Sequence, residues 1–305
     1  MLRKDEKKSH ELTLEIQAKQ RTREMIEITV LVLLAGFATY ILIPWAFKSL
    51  MRKRFLRVVA SRNAVCLTFD DGPHRESTSV ILQLLEEARA KATFFMLGKN
   101  IEKFPDIAAT IVELGHEVGE HGYEHTHPWT SGPIRSLKDL VRGGRMVARY
   151  RCLDGPALFR PPYGKLNFVT LLYTLVLRRR LVFWNVNPRD YEQDSPETVV
   201  RYVKERIAPG TVILLHDGRR DPSSSCDTTV LALNAILQEI ADRGLATVTV
   251  GEALGKRPLP NNTSRASRFE ATPLTPRRIR RRHREGSTDS ANNNTEIICR
   301  KRALY

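Results

Sequence analysis

An α/β fold on a parallel sheet, open or closed into a barrel and preceded by one transmembrane helix, is what this sequence predicts. Three observations lead there. Short β-rich runs alternate with amphipathic helical stretches between residues 64 and 250. Polar groups collect at the downstream end of five of those runs. A twenty-residue apolar segment without a charge stands upstream of them.

The apolar segment comes first in the chain. Ile28 to Phe47 reads ITVLVLLAGFATYILIPWAF, long enough to cross a hydrocarbon core of about 30 Å. Pro44-Trp45 near its end suits a membrane interface, where Trp is enriched. A buried core helix would not be flanked so densely by charge. A cleaved signal peptide would have a shorter apolar run and a small-residue cleavage site. Residues 1–27 form a charged N-terminal segment and 48–62 a basic juxtamembrane linker. Lys19, Arg21 and Arg23 precede the span; Lys48, Arg52, Lys53, Arg54, Arg57 and Arg62 follow it. Counting positive residues alone puts the domain on the cytoplasmic side, although large domains can translocate despite such flanks, so the rule leaves both orientations open.

The β-rich runs are AVCLTF (64–69), ATFFML (92–97), HEVGE (116–120), ALFR (157–160), LVFWNV (181–186), TVILLH (211–216) and ATVTV (246–250). Between them lie patterns such as STSVILQLLEEARA, whose Val80, Ile81, Leu84, Leu85 and Ala88 make one helical face. Ser195-Pro196 opens another helix as cap and first residue. Strands alternating with helices imply parallel pairing. Residues 63–255 make one domain, consistent with a chain of 305 residues that is 42% hydrophobic.

Charge narrows the function. The formal +15 is uneven: residues 1–62 carry 13 Lys/Arg against 6 Asp/Glu, residues 256–305 carry 13 against 4, and the middle carries 23 against 24. The folded part is nearly neutral and has no aromatic-basic motif, so specific nucleic-acid binding is not expected. The segment 256–305, with RRIRRRHRE at 277–285, has too few apolar residues to fold alone and reads as a disordered tail. Contact with anionic lipid headgroups or nucleic acid is its functional reading, plain solvation its bland one. Cys66, Cys152, Cys226 and Cys299 lie far apart without a CxxC pair, which supports neither a thiolate metal site nor a disulfide framework.

The downstream ends of the runs carry the chemistry. They deliver Asp70 and Asp71, then HGYEHTHP with His121, His125 and His127, then RPPYG (160–164), NPRDY with Asp190 and Tyr191, and His216-Asp217. In parallel α/β folds the strand C-terminal ends form the active-site rim. His121 and His125, four apart, would present two imidazoles from one side of a helical turn. With one carboxylate they make the three-ligand set of a catalytic zinc-type site, leaving a position open for water. Spacing alone does not rank His127 below the other two. Adjacent Asp70 and Asp71 make sense if one binds a cation and the other stays free as a base; a solvated Asp-Gly-Pro turn is the plain alternative.

These motifs, in this order, resemble the polysaccharide deacetylases, the NodB homology domain of carbohydrate esterase family four. The resemblance covers about residues 63 to 252. TFDDGP stands at Thr68 to Pro73, H-x-x-x-H at His121 to His125, and R-P-P-Y-G at Arg160 to Gly164. The fourth motif, usually D-W, reads Asp190-Tyr191, and L-x-H is Leu214-Leu215-His216. The resemblance implies a distorted (β/α) barrel that hydrolyses an N-acetyl group from an N-acetylglucosamine-containing glycan. It implies Asp71, His121 and His125 as ligands of one divalent ion, zinc first and cobalt or another divalent ion as substitutes. By the same resemblance Asp70 is the general base and His216 the general acid. Arg160 orients Asp70, Asp190 holds His216, the Tyr163 backbone N–H stabilises the oxyanion, and Leu214 lines the acetyl pocket. Tyr191 in place of Trp alters that pocket's depth. Two alternatives keep the fold: an O-acetyl ester deacetylase of the acetylxylan type, and a catalytically silent, membrane-held glycan-binding module.

Overall fold

A computed structural model describes residues 2–151, 157–193, 195–219 and 226–255. The RRIRRRHRE tail, Cys152 and Cys299 lie outside the described residues.

The chain opens with helix α1 (Leu2–Phe37), a π-helical turn (Ala38–Leu42) and helix α2 (Ile43–Ala60). Strands and helices then alternate: β1 (Ala64–Asp70), α3 (Ser77–Glu87), β2 (Ala92–Met96), α4 (Gly98–Lys103), α5 (Pro105–Glu113) and β3 (Glu117–Glu120). There follow α6 (Pro133–Val147), β4 (Leu158–Phe159), α7 (Phe168–Val176), β5 (Arg180–Leu181) and α8 (Pro196–Lys204). Last come β6 (Val212–His216), α9 (Asp227–Asp242), β7 (Ala246–Thr247) and α10 (Val250–Leu254).

All strand pairs are parallel, in the order β5-β4-β3-β2-β1-β6. β7 takes the first part of the outer edge of β1, at Ala64 and Val65, and β6 takes the remainder, from Cys66 to Asp70. β1 is buried along its whole length, as expected for a parallel strand covered on both faces. The core between sheet and outer helices joins Phe69 and Phe94, stacked at 5.0 Å, to Ile81, Leu85, Ile111 and Ile236. The sheet curls into a half-barrel whose helices wrap its outside, which is the distorted barrel expected from the motifs.

Between β5 and β6 the ring is completed by irregular chain. The run LVFWNV, expected as a strand over 181–186, pairs only at Arg180–Leu181 and returns at Val186 through a single bridge to Ile213. Asn185 explains the break: its side-chain Oδ1 takes the Val212 N–H at 2.8 Å, a bond that a ladder carbonyl would otherwise accept. ATVTV likewise pairs only at 246–247, because Thr249 caps α10 in a capping box with Glu252.

The stretch 48–62, expected as a basic linker, is mostly helix. Its apolar positions return on one face, so Phe55 and Val59 are buried against Val182, Val212 and Val250, with the Phe55 ring edge-on to Phe183 at 6.1 Å. Lys53, Arg54 and Arg57 point away from the domain, and together with Lys48 and Arg52 on the near side they disguise the pattern.

Candidate active site

At the upper rim β1, β3, β4 and β6 lead into polar side chains grouped at one cavity of about 690 Å3. β1 ends in Asp70 and runs into Asp71. β6, paired beside it, places His216 opposite Asp70 in register. β3 leads into His121, and β4 into Arg160, whose N–H bonds back to the Glu120 carbonyl at 3.0 Å.

Asp71 Oδ1 lies 3.5 Å from His121 Nε2 and 3.6 Å from His125 Nε2. The three donor atoms sit within 4.8 Å of one another, and all three residues are buried. Zinc bonds of about 2.0–2.2 Å place tetrahedral donors roughly 3.4 Å apart, so this set fits a single divalent ion. His121 Nδ1 donates to the Arg160 carbonyl at 2.6 Å, which fixes the tautomer and turns the Nε2 lone pair inward. Burial lowers the His121 pKa to about 3 and keeps the ring neutral, as a ligand must be.

The expected helical turn under the two histidines is not there. Residues 121–125 form a loop, with Gly122 at φ +82° and His125 at φ +61°. Left-handed residues cannot continue a helix, and the imidazoles converge through a bend instead. Asp71 (φ +70°) and Tyr163 (φ +57°) are left-handed as well. Non-glycine residues held there cost of order 1 kcal/mol or more each, and such strain gathers at functional sites. His127 takes no part in the donor set: its Nε2 is 3.1 Å from Lys165 Nζ, and Tyr163 stands between its ring and that of His125.

Asp70 is 3% exposed and receives Arg160 Nη1 on Oδ1 at 2.6 Å. Its Oδ2 faces His121 Nε2 at 3.6 Å. Burial pushes the Asp70 carboxyl up, against the pull of the guanidinium. Arg160 has no solvent exposure; it lies over the Phe95 ring at 4.2 Å and also donates to Thr68 Oγ1. Asp190 grips His216 twice, accepting from Nδ1 and from the backbone N–H, both at 2.8 Å. Burial alone would lower the His216 pKa, but the carboxylates of Asp190, Asp71 and Asp70 overcome it and raise it to about 9. Tyr191 stands edge-on to His216 at 4.8 Å, and Leu214 is buried in the cavity wall beside it.

The ten residues to which the resemblance gave a place in the site, Asp70, Asp71, His121, His125, Arg160, Tyr163, Asp190, Tyr191, Leu214 and His216, therefore meet in one place, and His127 stays outside the donor set. The sequence reading missed one support, Asp139, and gave another, Asp217, no role. Asp139, on the buried face of α6, accepts the N–H groups of Tyr123 and Glu124 at 3.2 and 2.7 Å and the Thr126 hydroxyl at 2.8 Å. It ties down the loop that carries His125. Gly143, one turn on, allows this: a Cβ there would stand 2.4 Å from the Gly122 carbonyl carbon. Asp217, fully buried and bonded by the Thr78 hydroxyl at 2.6 Å, backs the turn after Asp71. A Cβ on Gly72 would strike its carboxylate, so the DDG turn requires glycine.

The polysaccharide deacetylase family model matches residues 57–177. A peptidoglycan-N-acetylglucosamine deacetylase of Bacillus cereus is 33% identical over 192 residues, covering 62% of this chain and 87% of that protein. The chain belongs to the polysaccharide deacetylase family. A chitooligosaccharide deacetylase of Rhizobium leguminosarum bv. phaseoli is 32% identical across 62% of this chain and 86% of its own length. Among solved structures, the peptidoglycan deacetylase PdaC from Bacillus subtilis superimposes with a TM-score of 0.55 at 29% identity, covering 64% of this chain and 91% of that one. The family match runs from within α2 to the end of α7 and takes in Asp70, Asp71, His121, His125 and Arg160 of this deacetylase.

Proposed function

We propose that this family member is a metal-dependent hydrolase that removes N-acetyl groups from an N-acetylglucosamine-containing glycan, its catalytic domain held at a membrane by residues 28–47. The observation that carries the reading is the grouping of two proton-handling pairs, Asp70–Arg160 and Asp190–His216, around the Asp71–His121–His125 donor set. A divalent ion bound there, zinc by preference of the two-nitrogen, one-oxygen set, would polarise the substrate carbonyl and acidify a water.

The chain's own groups supply the rest. Asp70 takes the proton of the attacking water; with Oδ1 held by Arg160, Oδ2 on the His121 side is the basic oxygen. His216 gives a proton to the departing amine nitrogen, which cannot leave as an anion. Asp190 holds Nδ1, so Nε2 is the donating atom and the raised pKa keeps it loaded at neutral pH. The Tyr163 N–H, fixed by its left-handed backbone, donates to the developing oxyanion, a contribution of roughly 3 kcal/mol in comparable sites. Leu214 and Tyr191 enclose the acetyl methyl.

The amide substrate is supported by relatives named as deacetylases of peptidoglycan N-acetylglucosamine and of chitooligosaccharides. The full chain in detergent should release acetate from N-acetylchitooligosaccharides faster than from acetylxylan. Release from acetylxylan alone would replace the amide reading with the ester one. Release from neither, in metal-loaded protein, would leave a binding module.

A further inference from the structure

The N-terminal helix touches the domain well before its apolar segment ends. Tyr40 lies within residues 28–47, yet its hydroxyl donates to the Ser131 carbonyl at 3.1 Å and accepts from the Asn167 side chain at 2.9 Å. Pro44, one turn on, is buried. From Tyr40 to Phe47 the helix rises about 10 Å at 1.5 Å per residue. If residues 28–47 span a bilayer, the domain surface around Tyr40 lies below the headgroups, in the acyl boundary.

That surface is built for such a position. Asn167 is the N-cap of α7, and α7 packs against the turn that carries Tyr40. FVTLLYTLVL, residues 168–177, holds no charge. One face of α7 is buried through Leu171, Tyr173 and Thr174. The other presents Leu172, Leu175 and Val176, at the i, i+3, i+4 spacing of a single stripe, and Val176 is 73% exposed. Arg178 and Arg180 follow directly and are exposed. An apolar stripe bordered by exposed arginines is the pattern of a helix lying in a membrane interface, with basic groups on anionic headgroups. The cavity is close by. Arg52 of α2 donates to the carbonyl of Trp184 in the cavity wall at 3.1 Å, and Arg52 lies about 8 Å along the axis beyond Phe47. Lys165, also in that wall, is near enough to Lys48 to help lower its pKa, behind burial and Arg52.

We propose that α7 is a second membrane contact, its Leu172–Leu175–Val176 face sunk into the lipid surface beside the N-terminal helix, so that the catalytic cavity opens at headgroup level. The occupant of this face is the bilayer, and the substrate is glycan presented at the membrane surface. The inference rests on residues 28–47 spanning a membrane, as proposed above.

The test uses the full chain in vesicles of phosphatidylethanolamine and phosphatidylglycerol, with photoreactive benzoylphenylalanine in place of Val176 or, as control, of Leu231, an equally bare apolar position on α9 (68% exposed). Illumination should yield phospholipid adducts at position 176 and not at 231. The same chain with Leu172→Glu and Leu175→Glu should lose the adduct at least about tenfold while its acetate release from soluble oligosaccharide in detergent stays unchanged. Alkaline carbonate extraction separates the two ideas. A chain that washes off the vesicles overturns the span and this inference together. A chain that stays bound but gives no lipid adduct at 176, or gives a protein–protein adduct there, overturns this inference alone.

Discussion

Arg160 Nη1 donates to Asp70 Oδ1 at 2.6 Å, and neither side chain is more than 4% exposed. Two opposite charges with so little water owe their stability to each other. Removing one partner of such a pair costs about 3–5 kcal/mol, because the remaining charge is stranded. The pair also aims Asp70, and this couples the fold to the chemistry.

Arg160→Met should therefore destabilise the domain by about 3 kcal/mol or more, lowering the melting temperature by roughly 6–12 °C for a domain of this size. Acetate release should vanish with it. Adding Asp70→Asn should recover much of the stability and none of the activity. Calorimetry of the two variants checks this; equal melting temperatures in both would show that the pair is not coupled.

Asp70→Asn alone should keep its metal and lose activity by about 10²–10⁴-fold, the usual worth of a general base. Metal content and acetate release measured on one preparation decide it. Full activity removes Asp70 from the base role.

The histidines make a sharper distinction. His125→Ala should cut metal affinity by more than the roughly 10–100-fold that supporting residues are worth, whereas His127→Ala should leave it nearly unchanged, since His127 faces Lys165. Asp139→Ala should fall between them. It leaves two loop N–H groups without their acceptor, costs about 1–3 kcal/mol, and loosens His125 without touching a donor atom. Competition against a chelating dye gives the three affinities; equal losses at 125 and 127 would refute the assignment.

His216 sets the alkaline behaviour. Its pKa stands near 9 in the fold because the Asp190 charge outweighs burial. A raised pKa means its stabilising contribution is complete below the ordinary value of about 6.5 and is lost as pH rises through about 9. Activity, which needs the protonated ring, should fall in the same direction. Asp190→Asn should move that alkaline limb to lower pH and lower the ring pKa in an NMR titration of the metal-free protein. An unmoved limb would take Asp190 out of the partnership.

Much of this was legible in the sequence, for a physical reason. A parallel strand buried on both faces is a continuous apolar run, and β1 and β6 read that way; an acid or histidine right after such a run has nowhere to point but the rim. What stayed hidden depended on contacts rather than pattern. His121 and His125 had the spacing of a helical turn, but Gly122 and a left-handed His125 make a loop whose shape is set by Asp139, a single acid on a helix that spacing could not single out. Asn185 ended the pairing of its run by competing for the Val212 N–H. Phe55 and Val59 lay among so many basic residues that α2 read as a linker, although Gly210 and the Phe183 ring receive it closely.

The central claim is that one divalent ion, gripped by a carboxylate and two imidazoles, drives amide hydrolysis. Stripping the full chain with a chelator and titrating zinc back while following acetate from an N-acetylchitooligosaccharide tests it most directly. Activity should disappear on stripping and return in proportion to added metal, reaching its plateau at about one ion per chain. Acetate release that persists in the stripped protein would contradict it.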